Sequence, residues 1–183
     1  GGSADAAAVL RGLPSIWGLP PLPPDRLLTL ASQLGADVPF CLLGITARAG
    51  GIGDLLVPLP AFTGYEVLLV KPDPRLVTAR VFAQFELDEA LHPQVEGVAE
   101  AIRRGDLEGL GQSTGNVLEP PAISCVPEIA LIKQELKATG APVVLMTGSG
   151  PTVFALHREK GCAERTARAV TRPGWTVLAT RTV

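Results

Sequence analysis

The sequence predicts an α+β protein: a first part over 1–62, then a ferredoxin-like layered domain over 63–183. Three observations carry this. The second part reads β, helices, β, β, α, β, the order of a ferredoxin-like layer with helices on one face of a mostly antiparallel sheet. Apolar residues make up 46% of the 183 and charged residues 19%, against about 25% charged on average, so the chain can build a sizeable core. The 20 glycines and 17 prolines fall between periodic segments instead of forming a low-complexity tract.

The elements follow in order. Residues 4–18 favour a helix with Ser3 as its N-cap, and Pro14 predicts a kink or break because it lacks an amide and crowds the preceding turn. After the rigid 20–24 connection, Asp25 is placed as the cap of a second helix. Its Leu27, Leu30, Ala31 and Leu34 recur at i, i+3, i+4, i+7, and Gly35 stands where a helix C-terminal glycine belongs. Residues 38–60 read as short extended pieces broken by glycines and prolines. A strand is predicted over 65–71, stopped by Pro72-Asp73-Pro74. Helical segments follow around 95–102, 106–118 and 129–136, then strands over 142–147 and 152–157, a helix over 161–171 and a strand over 174–182.

Composition narrows the function. A net charge of −2 with no basic block argues against nucleic acid as a partner. No apolar run approaches the roughly 18 residues a membrane-spanning helix needs. Cys41, Cys125 and Cys162 are odd in number and far apart, so neither a disulfide framework nor a CxxC knuckle is expected. His92 and His157 have no second ligand at metal-binding spacing and read as surface or strand-end histidines. With no targeting segment visible, the reducing cytoplasm is the expected compartment. The chain opens Gly1-Gly2-Ser3 without a methionine, which reads either as a linker scar or as a start inside a motif.

Four segments could carry chemistry. Gly1-Gly2-Ser3 before an alanine-rich helix can turn amides toward an anion, and Ser3 can bond a phosphate oxygen; an ordinary N-cap is the alternative. Asp37, in Leu34-Gly35-Ala36-Asp37-Val38-Pro39-Phe40, sits on a short constrained turn, because Pro39 biases Val38 toward an extended backbone. Its carboxylate can accept a proton from a hydroxyl nucleophile, or simply close the turn. Thr147-Gly148-Ser149-Gly150 between two strands can bring backbone close to a phosphate, or be a plain connection. Thr78 and Phe82, four apart, share a helical face that offers a hydroxyl and a stacking ring to a nucleobase; a Phe buried in an amphipathic helix is the alternative.

In this order the segments resemble the GHMP small-molecule kinases. The matching stretches are GGSADAAAVLRGL (1–13), LGADVPFCLLG (34–44), TARAGGIGDLLVPLP (46–60), VLLVKP (67–72), TARVF (78–82), GNVLE (115–119) and MTGSGPTVFAL (146–156), nearly the whole chain. The first and last resemble motifs shared across the superfamily. The Asp-Val-Pro-Phe run, the Thr-Ala…Gly-Ile-Gly-Asp run and Leu-Val-Lys-Pro followed by Thr-x-x-x-Phe resemble the branch that phosphorylates 4-diphosphocytidyl-2-C-methyl-D-erythritol in non-mevalonate isoprenoid (terpenoid) biosynthesis. The resemblance implies the end of a GHMP N-terminal, ATP-binding domain followed by the C-terminal ferredoxin-like domain.

It also implies roles. Gly1, Gly2 and Ser3 would end the ATP-binding glycine loop, and Asp37 would be the base on the substrate hydroxyl. Thr78 and Phe82 would line a cytidine pocket, with Phe82 stacking on the cytosine. Gly148, Ser149 and Gly150 would border the ATP-phosphate site as a further glycine-rich motif. ATP and Mg²⁺ are the implied cofactors, with no side chain assigned as a metal ligand. The family's catalytic lysine and the first part of its glycine loop would lie upstream of Gly1, so these 183 residues alone are expected to be inactive. Two other readings are another GHMP kinase, acting on mevalonate, homoserine or a sugar, and a non-catalytic ferredoxin-like binding module.

Overall fold

A computed structural model describes residues 2–85 and 93–183; His92 and Gly1 lie outside the described residues. The chain divides between Ala61 and Phe62 into two compact units.

In the first unit, α1 (Gly2–Ile16), α2 (Pro24–Leu34) and α3 (Val38–Leu43) pack on one another. Their contact is the small apolar set Ala7, Ala31, Val38 and Leu42, flanked by Leu10, Leu27 and Cys41. The i, i+3, i+4 spacing of these residues puts them on facing stripes, as expected for helices that bury one side. β1 (Ala47–Gly50) and β2 (Leu55–Pro58) form an antiparallel hairpin, Ala47 opposite Pro58 and Gly50 opposite Leu55.

Several sequence expectations for this unit are corrected. Ser3 lies inside α1 rather than capping it, and Asp25 lies in the first turn of α2, whose N-cap is Pro23 without a side-chain bond. Pro14 does not break α1: the helix ends two residues later, so only its last turn meets the missing amide. Gly35, by contrast, is the C-cap of α2 as its position implies, with an extended backbone at φ 163°. Residues 38–43 are helical, not extended, because a proline in the first turn gives up an amide that would have no intrahelical partner anyway.

The second unit is a four-stranded antiparallel sheet of β3 (Glu66–Pro72), β4 (Val143–Met146), β5 (Val153–His157) and β6 (Trp175–Arg181), in the order β4-β5-β3-β6. The helices are α4 (Thr78–Ala83), α5 (Val95–Arg104), α6 (Leu107–Ser113), α7 (Glu119–Cys125), α8 (Glu128–Ala138) and α9 (Cys162–Val170). With β3 central and β4 reached only after the helices, this is the ferredoxin-like order expected from the sequence. Strand alternation sends Leu68, Val70, Val153, Ala155 and Met146 into one core with Ile129, Ile132 and Leu136 of α8 and Ala163 and Val170 of α9. Each fully buried Leu or Ile there contributes about 1.5–3 kcal/mol.

The opposite face is not bare. Val143 and Leu156 pack there against Ala101, Leu107 and Leu110 of α5 and α6, so helices lie on both faces rather than one. The helix expected over 106–118 is shorter, α6 ending at Ser113, and α7, which the sequence reading did not expect, starts at Glu119 with Pro120 and Pro121 in its first turn. Asp106 is a true N-cap, its Oδ1 accepting from the Gly109 amide at 2.9 Å.

His157, expected at a surface or strand end, closes β5 but is only 4% exposed, with Nδ1 3.4 Å from Cys162 Sγ. Burial holds its pKa below the ordinary 6.5; Glu66 opposes that and Arg165 adds to it. The unfolded chain therefore binds this proton more readily than the fold does. The histidine's contribution to stability is complete above about pH 6.5 and is lost as pH falls through the lower folded value. Thermal melting between pH 7.5 and 5 is expected to show a fall in Tm at the acid end that is smaller in His157→Leu. Parallel profiles for the two proteins would contradict it.

Candidate functional site

The candidate residues fall into two groups, one in each unit. In the first, Gly2 and Ser3 form the first turn of the 15-residue α1. Among the described residues, a side chain at Gly2 would meet nothing within 4 Å. The helix N-terminus supplies unpaired amides and a favourable partial charge for one.

Asp37 occupies the N-cap position of α3 (φ −85°, ψ −9°), yet its side chain makes no capping bond. Only its backbone carbonyl serves the helix, accepting from the Cys41 amide at 3.1 Å. The carboxylate is exposed. The β1–β2 turn lies beside it: a Cβ at Gly53, φ +108°, would sit 3.6 Å from Asp37 Oδ1. The side chain thus makes no capping bond and stands exposed beside that turn.

In the second unit, α4 carries Thr78 and Phe82 one turn apart, with Val81 turned into the core. Phe82 is 56% exposed, so the buried-ring alternative is corrected. The ring thus stands in water on the helix whose Val81 is buried. Thr78 Oγ1 and Ser149 Oγ share a hydrogen bond of 2.9 Å, which joins α4 to the glycine-rich loop.

That loop, 147–152, connects β4 to β5. The Thr147 amide donates to the Thr152 carbonyl at 2.9 Å and the Gly150 amide to the Thr147 carbonyl at 3.0 Å; the Gly150–Pro151 peptide is cis. Gly148 (φ 56°) is open: a Cβ there would have no neighbour within 4 Å. At Gly150 (φ 84°) a Cβ would lie 2.6 Å from Met146 Sδ and 3.1 Å from Leu76, so only glycine fits. A cleft of about 480 Å³ beside the loop is lined by Asn116, Val117, Met146, Thr147, Gly148 and Phe154, among others.

Asn116 and Glu119 carry no role from sequence alone, although both stand in GNVLE. Asn116 Nδ2 donates to the carbonyls of Met146 (2.9 Å) and Gly148 (2.7 Å), and its Oδ1 accepts from the Leu118 amide at 2.9 Å. Glu119 Oε1 accepts from the Met146 amide at 2.8 Å, and its Oε2 pairs with Lys133. Among the described residues no cluster of three or more His, Cys, Asp or Glu could hold a metal ion.

Comparison with known proteins shows the family and the fold. The family model for the GHMP kinases N terminal domain matches residues 1–45, and that for GHMP kinases C terminal matches residues 98–174. A curated relative from Geobacillus sp. (strain WCH70), a 4-diphosphocytidyl-2-C-methyl-D-erythritol kinase, is 47% identical over 165 residues, 90% of this chain and 57% of the relative. The chain thus spans a little over half the length of the curated relatives it matches. A crystal structure of 4-(cytidine 5'-diphospho)-2C-methyl-D-erythritol kinase superposes with a TM-score of 0.78 at 35% identity, over 99% of this chain and 64% of that one. A homoserine kinase from Cytophaga hutchinsonii, 16% identical with a TM-score of 0.73 over 99% of this chain and 64% of its own, shares the fold.

Proposed function

From the premise that this chain belongs to the GHMP kinases, we propose that the whole protein phosphorylates the 2-hydroxyl of 4-diphosphocytidyl-2-C-methyl-D-erythritol. The observation that carries this reading is the 47% identity to the relative of that name over 90% of the chain. ATP would supply the phosphoryl group, and Mg²⁺ bound with it would neutralise charge on the phosphates.

The chain's own residues then take these parts. Gly2 and Ser3 at the head of α1 receive phosphate charge, helped by the helix dipole. Gly148, Ser149 and Gly150 approach phosphate with backbone, since no bulk stands at Gly148. Asp37 takes the proton of the acceptor hydroxyl as its oxygen bonds to the γ-phosphorus and the bond to the β–γ bridging oxygen breaks, releasing ADP. Catalysis is by positioning and charge neutralisation, with no covalent enzyme intermediate. Phe82 stacks on the cytosine and Thr78 contacts the same nucleoside. We place the reaction in the cytoplasm, which suits the three free thiols; among the described residues no helix is long and apolar enough to cross a membrane.

Base stacking on an aromatic side chain is worth about 1–3 kcal/mol. Phe82→Ala in the natural-length protein carrying this sequence is therefore expected to raise KM for the cytidine substrate about tenfold or more, with kcat changed much less. Cytidine diphosphate should inhibit the wild type competitively with that substrate, and mevalonate should not. Inhibition by mevalonate, or an unchanged KM in Phe82→Ala, would contradict the assignment.

A further inference from the structure

A loop of three small residues has many conformations open to it, and a phosphate must meet one of them. Here the loop is braced from outside its own strands. Asn116, in the connection between α6 and α7, spends both amide hydrogens on the carbonyls of Met146 and Gly148, 2.9 and 2.7 Å away. Its own oxygen is taken by the Leu118 amide, which fixes the side chain's orientation and leaves neither end free to turn over. The same strand end is held a second time, by Glu119 on the Met146 amide. Glu119 is itself tied to Lys133 of α8, and the two side chains are only 13% and 16% exposed. Both backbone groups of Met146, and the carbonyl two residues later, are thus bound by side chains 27 to 32 residues away in sequence.

We propose that Asn116, backed by the Glu119–Lys133 pair, is a positioning residue for ATP: it fixes the curvature of residues 146–148, and so the shape in which Gly148 and Ser149 meet the phosphates. The proposal rests on the kinase reading above and deepens it. Carbonyls held by Asn116 are withheld from the anion side of the chemistry, where they would repel phosphate oxygens. Preorganisation of this kind lowers the ordering cost of binding and acts on nucleotide affinity more than on the acceptor.

The test is Asn116→Asp in the natural-length protein, because aspartate keeps the shape while replacing two donors by a carboxylate that repels both carbonyls. The dissociation constant for ATP–Mg²⁺, measured by calorimetry without acceptor, should rise at least tenfold. KM for ATP should follow, while KM for the acceptor moves less than threefold. Asn116→Ser, which removes the fork without adding charge, should give the same pattern and stands in if the aspartate variant does not fold. Glu119→Gln keeps an oxygen for the Met146 amide and should lie between the two and the wild type. A lowered Tm with ATP affinity unchanged in the folded serine variant would overturn the proposal, since a merely structural asparagine moves stability alone. A wild type that binds ATP but phosphorylates no acceptor would sink the kinase reading, and the calorimetric comparison would still decide the role of Asn116.

Discussion

Replacing Asp37 by alanine in the natural-length protein is expected to cut turnover by at least about a hundredfold, the usual scale for losing a positioned general base. Michaelis constants should stay within a few-fold, because the carboxylate acts on the proton and not on the binding of either substrate. The fold offers an internal control. Asp37 stands at the N-cap of α3 but makes no capping bond, so its removal costs that helix no side-chain partner. Stability should therefore change by no more than about 0.5 kcal/mol. A turnover loss with intact melting separates catalysis from structure. Asp37→Ala with wild-type turnover would remove Asp37 from the chemistry.

Gly111→Ala is expected to destabilise the protein by about 3 kcal/mol, at the upper end of what overpacking costs. A Cβ at that position would lie 2.0 Å from the Pro142 carbonyl oxygen and 3.0 Å from its carbon. Those are backbone atoms at the entrance to β4, not the tip of a flexible side chain, so α6 must move away from the sheet. Gly12→Ala is the matched contrast: Gly12 is inside α1 with nothing within 4 Å of its Cβ position. That change should stabilise by about 0.5–1 kcal/mol through backbone entropy. Denaturant melts of the two variants should move in opposite directions. Equal shifts would show that the close approach of α6 to β4 is not maintained in solution.

The sheet was legible because its strands are apolar runs bounded by glycine and proline, and because a ferredoxin-like order needs only their sequence. Helices α5 and α8 showed their period directly: Val95, Val98 and Ile102, then Ile129, Ile132 and Leu136. Helices α3 and α7 were hidden by the same residue type. Pro39 reads as favouring an extended backbone, and residues 119–125, with Pro120 and Pro121, show no apolar period; yet each proline stands in a first turn where the missing amide costs nothing. Ser3 and Asp25 missed their caps by one or two positions, the ordinary slack of helix ends.

Among the candidate residues, the availability of Asp37 and the exposure of Phe82 emerged only from packing, since a turn-closing Asp or a core Phe has the same local sequence. Asn116 and Glu119 could be quoted as part of a motif but not understood. Their partners are backbone groups about 30 residues away, and no periodicity or spacing announces a bond of that length. His157 shows the reverse case: a polar residue at a strand end reads as surface, but here the strand end lies under α9, where Cys162 meets the ring.

The most direct test of the central claim is to mix the natural-length protein with ATP, Mg²⁺ and 4-diphosphocytidyl-2-C-methyl-D-erythritol and weigh the products. The predicted result is one added phosphate on that compound, and none on mevalonate or homoserine offered under the same conditions. Phosphate on mevalonate or homoserine in its place, or on no acceptor at all, would contradict it.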